Sequence, residues 1–318
     1  MKVLVVCNGG FGDVSWCTSW PRILTEQGHV VDVFLMEYTG NPFHANPHVN
    51  KLIRRDYRDS HKIIKETISE GSYDHVFLPD NDCGGVREMI KSTEKMDHVH
   101  TFVGHHNPQI VSGFELPALV RPEWYYTEEE GKWVEDQGLK DANLFSPLSS
   151  DIYAPSRNIE FGIVAECSKI LDKTVAMYGG RRFTPEGIEK LNIGSIRLLW
   201  EGYGDTDKDP GNMLGKFFAL TDSCRVSVHA WSGSFTLPMG YGKPYVMVVP
   251  HHKMKVHTSF GVSRERHDIG IDRARNYKCL HPSAWCITED PGVILEAIDR
   301  VVEGNTCIYD NGWRDVCK

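Results

Sequence analysis

Short apolar runs alternate with amphipathic segments along the first third of the chain. The runs are typical of buried strands, and the segments between them have the spacing of helices that bury one face. A repeated strand–helix–strand order favours a parallel sheet with helices on both faces. The predicted strands are 3–7, 30–36, 75–78 and 100–103, and the predicted helices are 18–27 and 60–70.

The same alternation begins again in the second half, after a segment of different character. Residues 117–158 are polar, acidic and aromatic, as in "RPEWYYTEEEGKWVEDQG", and predict a helix followed by a linker. We therefore expect an α/β protein with two Rossmann-like domains facing a cleft, residues 1–150 and residues 151–318. Beyond the linker the predicted strands are 160–164, 174–178, 196–200, 225–228 and 245–249, and the last predicted helix is 292–302.

The length, composition and charge of the chain exclude several classes of protein. A chain of 318 residues has the length of two ordinary domains, and its 41% hydrophobic content excludes a disordered protein. The net charge is -8, and no long run of like charge stands out, which disfavours an extended duplex-binding face. No apolar stretch reaches the roughly 18 residues that a membrane span needs.

The nine cysteines and the N-terminus predict a cytoplasmic protein with reduced thiols, because no signal-peptide pattern is present. His267, Cys279, His281 and Cys286 have the chemical types that bind zinc. Their spacing matches no common zinc motif, and ordinary packing is the alternative.

The first predicted strand runs into a glycine-rich turn, "VLVVCNGGFGDVSW", at residues 3–16. Glycines there let the backbone approach a ligand, and Asp13 lies where the positive end of the next helix favours its ionised form. Asp13 is thus a candidate general base, and capping of that helix is the alternative role. The turn departs from the dinucleotide fingerprint and Glu37 comes late for its acidic partner, so a dehydrogenase is not favoured.

Two stretches of the second half are suited to phosphate groups. Gly179, Gly180, Arg181 and Arg182 follow a predicted strand, and arginine binds phosphate oxygens bidentately. Further on, residues Ser232, Gly233 and Ser234 are predicted to begin a helix whose first N–H groups can hold an anion. A solvated arginine pair and a structural turn are the respective alternatives. Together the stretches favour a nucleoside diphosphate ligand.

With these residues in view, the chain resembles glycosyltransferases of the GT-B architecture, and most of all the lipopolysaccharide heptosyltransferases of glycosyltransferase family 9. The resemblance touches both halves in the same order. It is carried by "GDV" with "PRILTEQGHVVDVFL", by "NPHVNKLI", by "RRFTPEGIEKL", and by "WSGSFTLPMGYGKPYVMVV".

This resemblance implies roles for the candidate residues. Asp13 corresponds to the base that deprotonates an acceptor hydroxyl for an inverting displacement, and the family works without a metal or another cofactor. Arg181 or Arg182 would bind the donor phosphate, and residues 232–234 would form the diphosphate turn. Glu201 and Tyr203 follow a predicted strand and are candidates for contact with the ribose or base, with a solvated loop residue as the alternative for Glu201. The acceptor, a glycan or glycolipid, would meet Gly10, Phe11 and Gly12. Further acceptor candidates at strand ends of the first domain are Asp80, Asp82, His105 and His106, with ordinary loop residues as the alternative.

Two departures leave the donor sugar and base open. Trp231 stands where the family motif has aspartate, and Thr236 stands where it has histidine. The alternatives to this glycosyltransferase are a phage-type DNA glycosyltransferase that acts on hydroxymethylated bases, and a GT-B-like nucleotide-sugar epimerase or binding protein.

Overall fold

The computed structural model describes most of the chain in segments. These are residues 1–7, 11–36, 41–55, 60–70, 73–80, 97–103, 121–147, 158–179, 196–201, 213–249, 255–257, 263–265, 283–286 and 288–309.

The first half forms a five-stranded sheet whose strand pairs are all parallel, in the order β3-β2-β1-β4-β5. Its strands are runs of Val, Leu, Ile and Phe, as expected where helices cover both faces of a sheet. Two apolar clusters, one on each face, pack it against the helices. The elements are β1 Lys2–Cys7, α1 Phe11–Ser15, α2 Trp20–Glu26, β2 Val30–Met36, β3 Lys51–Arg55, α3 Ser60–Ser69, β4 His75–Asp80 and β5 Val99–Val103.

The second half forms a seven-stranded sheet whose strand pairs are also parallel, in the order β14-β13-β10-β9-β6-β7-β8. A separate antiparallel pair, β11-β12, lies outside it. The elements are α4 Glu128–Asp136, β6 Asn143–Ser146, α5 Phe161–Ser168, β7 Thr174–Gly179, β8 Arg197–Glu201, α6 Met213–Ser223, β9 Val226–Ala230, a 3-10 turn Gly233–Phe235, α7 Thr236–Tyr241, β10 Tyr245–Val248, β11 Lys255–His257, β12 Ser263–Glu265, β13 Ser283–Cys286, α8 Pro291–Val302 and β14 Cys307–Tyr309.

The two sheets belong to two compact units, Met1–Tyr125 and a second unit that begins at Tyr126. The predicted boundary at residue 150 assigns β6 to the first domain, whereas β6 pairs with β7 and β9 in the second sheet. The boundary therefore lies earlier than predicted. The sequence signal of β6 is weak because the strand has only four residues, although all four are buried.

The segment predicted as a strand at 160–164 is instead part of the helix α5. Its apolar run "FGIVA" fits either structure locally, since a short run does not distinguish a strand from a buried helix. The helix buries Val164, Cys167 and Ser168, which recur at the spacing of one helical turn. Packing against the second sheet decides the structure here.

A buried carboxylate lies in the interior of the first unit. Asp32 of β2 is completely buried and accepts hydrogen bonds from Asn50 Nδ2 at 2.8 Å and from Tyr73 Oη at 3.0 Å. Lys2 Nζ lies 3.3 Å from Asp32 Oδ2 and 4.7 Å from the centre of the Tyr73 ring. The side chains of Asn50, Tyr73 and Lys2 thus all contact the Asp32 carboxylate. Burial of Tyr73, together with its hydrogen bond to Asp32, raises the pKa of the Tyr73 hydroxyl.

A second buried carboxylate, Glu130, joins two helices of the second unit. Thr127 and Glu130 form a capping box at the start of α4, in which Glu130 Oε2 accepts from Thr127 N at 2.7 Å. Gly215 of α6 lies against this carboxylate, and a methyl group added at Gly215 would overlap it. Because Glu130 is only 4% exposed, it has little room to move away.

Candidate functional site

Each sheet has one place where the order of its strands reverses. In the first sheet the chain lays down β1, β2 and β3 to one side and then β4 and β5 to the other, so the reversal falls between β1 and β4. In the second sheet the reversal falls between β6 and β9. Ligands of open α/β sheets bind beyond the carboxyl ends of the strands at such a point. The topology therefore selects one candidate position in each unit.

At the reversal in the first unit, β1 is followed along the chain by the helix α1. The helix α1 begins at Phe11, so the backbone of Asp13 is its third residue and not the residue before the helix. The alternative prediction, that Asp13 is the N-cap of this helix, is therefore wrong. Asp13 lies in the first turn of the helix. The Asp13 side chain lies outside the described residues.

Two neighbours of Asp13 are described. The Phe11 ring stacks on Trp124 with 5.3 Å between ring centres and 6° between planes, so one of its faces is covered. The Gly12 carbonyl accepts a 2.7 Å hydrogen bond from Ser15 Oγ. The stacking on Trp124 packs the start of α1 against the first unit, and the Ser15 hydrogen bond lies within the helix.

The other predicted acceptor residues are described only in part. The backbone of Asp80 ends β4, next to β1, and pairs in register with Val103 of β5. This places Asp80 at the carboxyl edge of the sheet where the strand order reverses, and its side chain is outside the described residues. Gly10, Asp82, His105 and His106 lie wholly outside them.

At the reversal in the second unit, three hydroxyl groups and one imidazole form a cluster, which we name the serine–histidine cluster: Ser146, His229, Ser232 and Ser234. Ser146 ends β6 and is the register partner of His229 in β9. Ser234 Oγ lies 3.0 Å from His229 Nδ1, 2.8 Å from Ser232 Oγ and 3.2 Å from Ser146 Oγ. Ser234 is therefore the centre of the cluster.

The cluster is buried except at one member. Ser146 and His229 have no exposed surface and Ser234 is 2% exposed, whereas Ser232 is partly exposed. Ser232 immediately precedes the 3-10 turn Gly233–Phe235, which continues into α7, as the sequence predicts. A partly exposed serine thus lies at the carboxyl edge, and its hydroxyl contacts the buried members of the cluster.

The His229 ring is neutral in the folded protein. Complete burial lowers its pKa from 6.5 to about 3, because a charged imidazolium would lose its hydration there. Its Nδ1 contacts Ser234, and its buried Nε2 has no hydrogen-bond partner among the described residues. The cluster therefore presents polar atoms without a positive side chain of its own.

The lowered pKa of His229 predicts a loss of stability in acid. The unfolded chain takes up a proton near pH 6.5 and the folded chain only near pH 3, so the contribution is full above pH 6.5 and falls as the pH drops between these values. From pH 7.5 to pH 5 we expect a loss of about 2 kcal/mol in the free energy of unfolding from this group, at about 1.4 kcal/mol per pH unit. Urea unfolding at both pH values measures it. The variant His229→Asn should lose about 2 kcal/mol less than the wild type, and equal losses would contradict the assignment.

The remaining donor-side candidates end β7, which pairs with β6, and β8, which pairs with β7. The backbones of Gly179 and Glu201 are register partners at the carboxyl ends of β7 and β8. The predicted site residues Gly179, Glu201 and Ser232–Ser234 therefore share one edge of the second sheet. Outside the described residues lie Gly180, Arg181, Arg182 and Tyr203. The side chain of Glu201 also lies outside them.

The two departures from the family motif have structural explanations. Trp231 is 3% exposed, so the residue at the motif's aspartate position packs in the interior. Thr236 is fully buried, and its Oγ1 donates a 2.7 Å hydrogen bond to the Gly233 carbonyl. Both side chains thus support the turn.

Sequence reasoning missed Ser146 and His229. A histidine inside the apolar run "VSVHA", three residues before a Ser-Gly-Ser turn, was a usable signal because a buried polar ring needs a partner. Ser146 gave no signal, since only the pairing of β6 with β9 brings it to the turn.

Metal sites and membrane spans can be assessed for the described residues. Within them, no three His, Cys, Asp or Glu side chains are grouped as metal ligands. Of the zinc candidates, Cys286 is a buried free thiol in β13, and His267, Cys279 and His281 lie outside the described residues. No helix in the described part of the chain is both long and apolar enough to cross a membrane.

Comparison with solved structures identifies the fold. E. coli ADP-heptose LPS heptosyltransferase II matches with a TM-score of 0.61 and 17% identity, over 95% of this chain and 99% of that chain. A glycosyl transferase family 9 protein from Veillonella parvula DSM 2008 matches with a TM-score of 0.60 and 15% identity, over 95% and 97%. E. coli heptosyltransferase WaaC with ADP-2-deoxy-2-fluoro heptose matches with a TM-score of 0.52 and 13% identity, over 78% and 88%.

No protein-family model matches the chain, and no curated protein matches it by sequence. Because the sequence identities are only 13–17%, the similarity to these solved structures establishes a shared fold and nothing beyond it. The predicted α/β fold with two Rossmann-like halves, the GT-B architecture, is confirmed.

Proposed function

We propose that this chain is an inverting, metal-independent glycosyltransferase that moves a sugar from a nucleoside-diphosphate donor to an acceptor hydroxyl. The second unit would bind the donor at the serine–histidine cluster, and Asp13 of the first unit would deprotonate the acceptor. The observation that carries the proposal is topological. The sequence-predicted residues Asp13 and Ser232–Ser234 each follow a strand at the one reversal of strand order in their sheet.

The donor class rests on the chemistry of the second unit and on the fold. Ser232 is partly exposed, and its hydroxyl lies 2.8 Å from the buried Ser234 hydroxyl. A diphosphate carries only acceptor oxygens, which hydroxyl and backbone N–H groups bind well. The solved structure of WaaC contains an ADP sugar, and its fold is similar to this one. This supports a nucleoside diphosphate as the leaving group.

Metal independence is the remaining part of the proposed mechanism. Departure of the diphosphate requires stabilisation of its developing charge, which preorganised donors supply without an ion. Ser232 and the arginines Arg181 and Arg182 are the proposed donors. Neither the DNA-modifying alternative nor the epimerase alternative gains support from a described residue.

The proposal is tested by nucleotide binding. A thermal-shift panel of UDP, ADP, GDP and CMP should show stabilisation by at least one diphosphate and none by CMP, which lacks the second phosphate. At 100 times its Kd a ligand adds about 2.7 kcal/mol to the stability of the domain that binds it. EDTA should leave the shift unchanged. A flat response to all three diphosphates would refute donor binding, and a shift that EDTA removes would refute metal independence.

A further inference from the structure

The three polar contacts of Ser234, at the centre of the serine–histidine cluster, restrict which groups of the cluster donate hydrogen bonds and which accept them. Ser234 Oγ has three polar neighbours at hydrogen-bond distance, His229 Nδ1, Ser232 Oγ and Ser146 Oγ. A hydroxyl group donates one hydrogen bond and accepts up to two. All three contacts are therefore satisfied together only if Ser234 donates to one neighbour and accepts from the other two.

The buried side of the cluster fixes the tautomer of His229. A neutral imidazole carries its proton on either Nδ1 or Nε2. Nε2 is buried without a partner among the described residues, so a proton there would be an orphaned N–H donor. Orphaned buried N–H groups are rarer than orphaned acceptors. The proton therefore belongs on Nδ1, and His229 donates to Ser234.

The direction of the Ser146 contact follows from burial as well. Ser146 is fully buried, and Ser234 Oγ is the acceptor within its reach in the described part of the chain. If Ser234 donated to Ser146, the Ser146 proton would be buried without an acceptor, at a cost of roughly 1–3 kcal/mol. Ser146 therefore donates to Ser234, and both acceptor positions of Ser234 are filled.

One direction is left for the Ser234 proton. It points at Ser232 Oγ, 2.8 Å away, so the proton of Ser232 is free to point outward. Ser232 is the partly exposed member of the cluster, where its proton can reach a ligand. The chain of donors thus runs from the interior to the surface and ends in an O–H donor.

From this geometry we infer that His229 and Ser146 are positioning residues that commit the Ser232 hydroxyl to hydrogen-bond donation. The site then favours ligands that offer acceptor atoms, such as ionised phosphate oxygens, over ammonium groups, which can only donate. The inference rests on the proposed function for the identity of the ligand. The proton arrangement itself belongs to the free protein.

The arrangement is tested first without any ligand. In the long-range ¹H–¹⁵N spectrum of protein labelled with ¹⁵N-histidine at pH 7, the signal that disappears in His229→Asn should show a protonated Nδ1 and an unprotonated Nε2. The opposite tautomer would overturn the inference whatever the protein binds.

The consequence for binding is tested by titration calorimetry with inorganic pyrophosphate. Ser232→Ala should weaken binding about tenfold, the loss of one charge-assisted hydrogen bond. His229→Leu should weaken it about fivefold in the wild-type background and not at all in the Ser232→Ala background, because it acts through Ser232. His229→Asn, which can place an N–H near the Nδ1 position, should restore binding to within about twofold of the wild type.

A matched control lies in the same strand. Ser227 of β9 is also fully buried, and its hydroxyl has no partner among the described residues, so Ser227→Ala should leave pyrophosphate affinity unchanged. Additive losses in Ser232→Ala with His229→Leu would overturn the positioning role alone. Failure of the wild-type protein to bind pyrophosphate or any nucleoside diphosphate would overturn the proposed function and the anion preference together, while the spectrum would still report the proton arrangement.

Discussion

Asp13→Asn is expected to lower kcat on the order of 10³-fold and to leave the affinity for the nucleotide within about twofold. The amide keeps the shape of the side chain but cannot take a proton from an acceptor hydroxyl, and general base catalysis is worth roughly 10²–10⁴-fold. The backbone of Asp13 is the third residue of α1, where a negative charge is favoured by the helix.

The measurement is release of the nucleoside diphosphate from the corresponding nucleotide sugar, in the presence of an acceptor and alongside calorimetry of diphosphate binding. Asp136→Asn is the matched control, because Asp136 is an exposed aspartate at the end of α4. Equal turnover by Asp13→Asn and the wild type would remove the catalytic role. A parallel loss of nucleotide affinity and kcat would instead assign Asp13 to donor binding.

Asp32→Ala is expected to destabilise the first unit by about 3–5 kcal/mol. The substitution removes the acceptor shared by Asn50, Tyr73 and Lys2 and leaves a cavity inside the sheet. Hydrogen bonds to a charged group contribute about 1.5–3 kcal/mol each, and the variant loses two of them from the buried carboxylate. Urea unfolding followed by far-UV circular dichroism measures the change, with the transition of each unit fitted separately.

The matched control for Asp32 is its neighbour in the same cluster. Asp74 also accepts from Lys2, through the backbone N at 2.6 Å, but it lies at the surface. Asp74→Ala should cost less than about 1 kcal/mol, as is usual for exposed polar contacts. Similar costs for the two alanine variants would show that burial of the Asp32 carboxylate is not what makes it important.

The sequence predicts the fold well where the pattern of apolar runs is repeated. Strands β1, β2, β4, β7 and β9 lie within about two residues of their predicted positions because buried parallel strands are nearly continuous apolar runs. The pattern fails where local and tertiary preferences differ. An apolar run became the helix α5, and the short β6 was missed although it is central in its sheet.

The same limit applies to the candidate site. Turn chemistry identifies Ser232–Ser234 because Ser and Gly before a helix are local signals. The position of Asp13 after β1 is predicted for the same reason, although its helix starts three residues earlier than an N-cap role requires. His229 lies in the strand just before the turn and gave a local signal, whereas Ser146 reaches the turn only through the pairing of β6 with β9, 83 positions before its register partner His229. Such contacts are set by topology and leave no mark in the local sequence.

The contact between Gly215 and the Glu130 carboxylate restricts how this chain can diverge. Homologues that carry alanine or a larger residue at position 215 should also have replaced the glutamate at position 130 with a shorter side chain. The two positions should then covary although they lie on separate helices, and an alignment deep enough to detect this pair would reveal the packing of α4 on α6 without any structure.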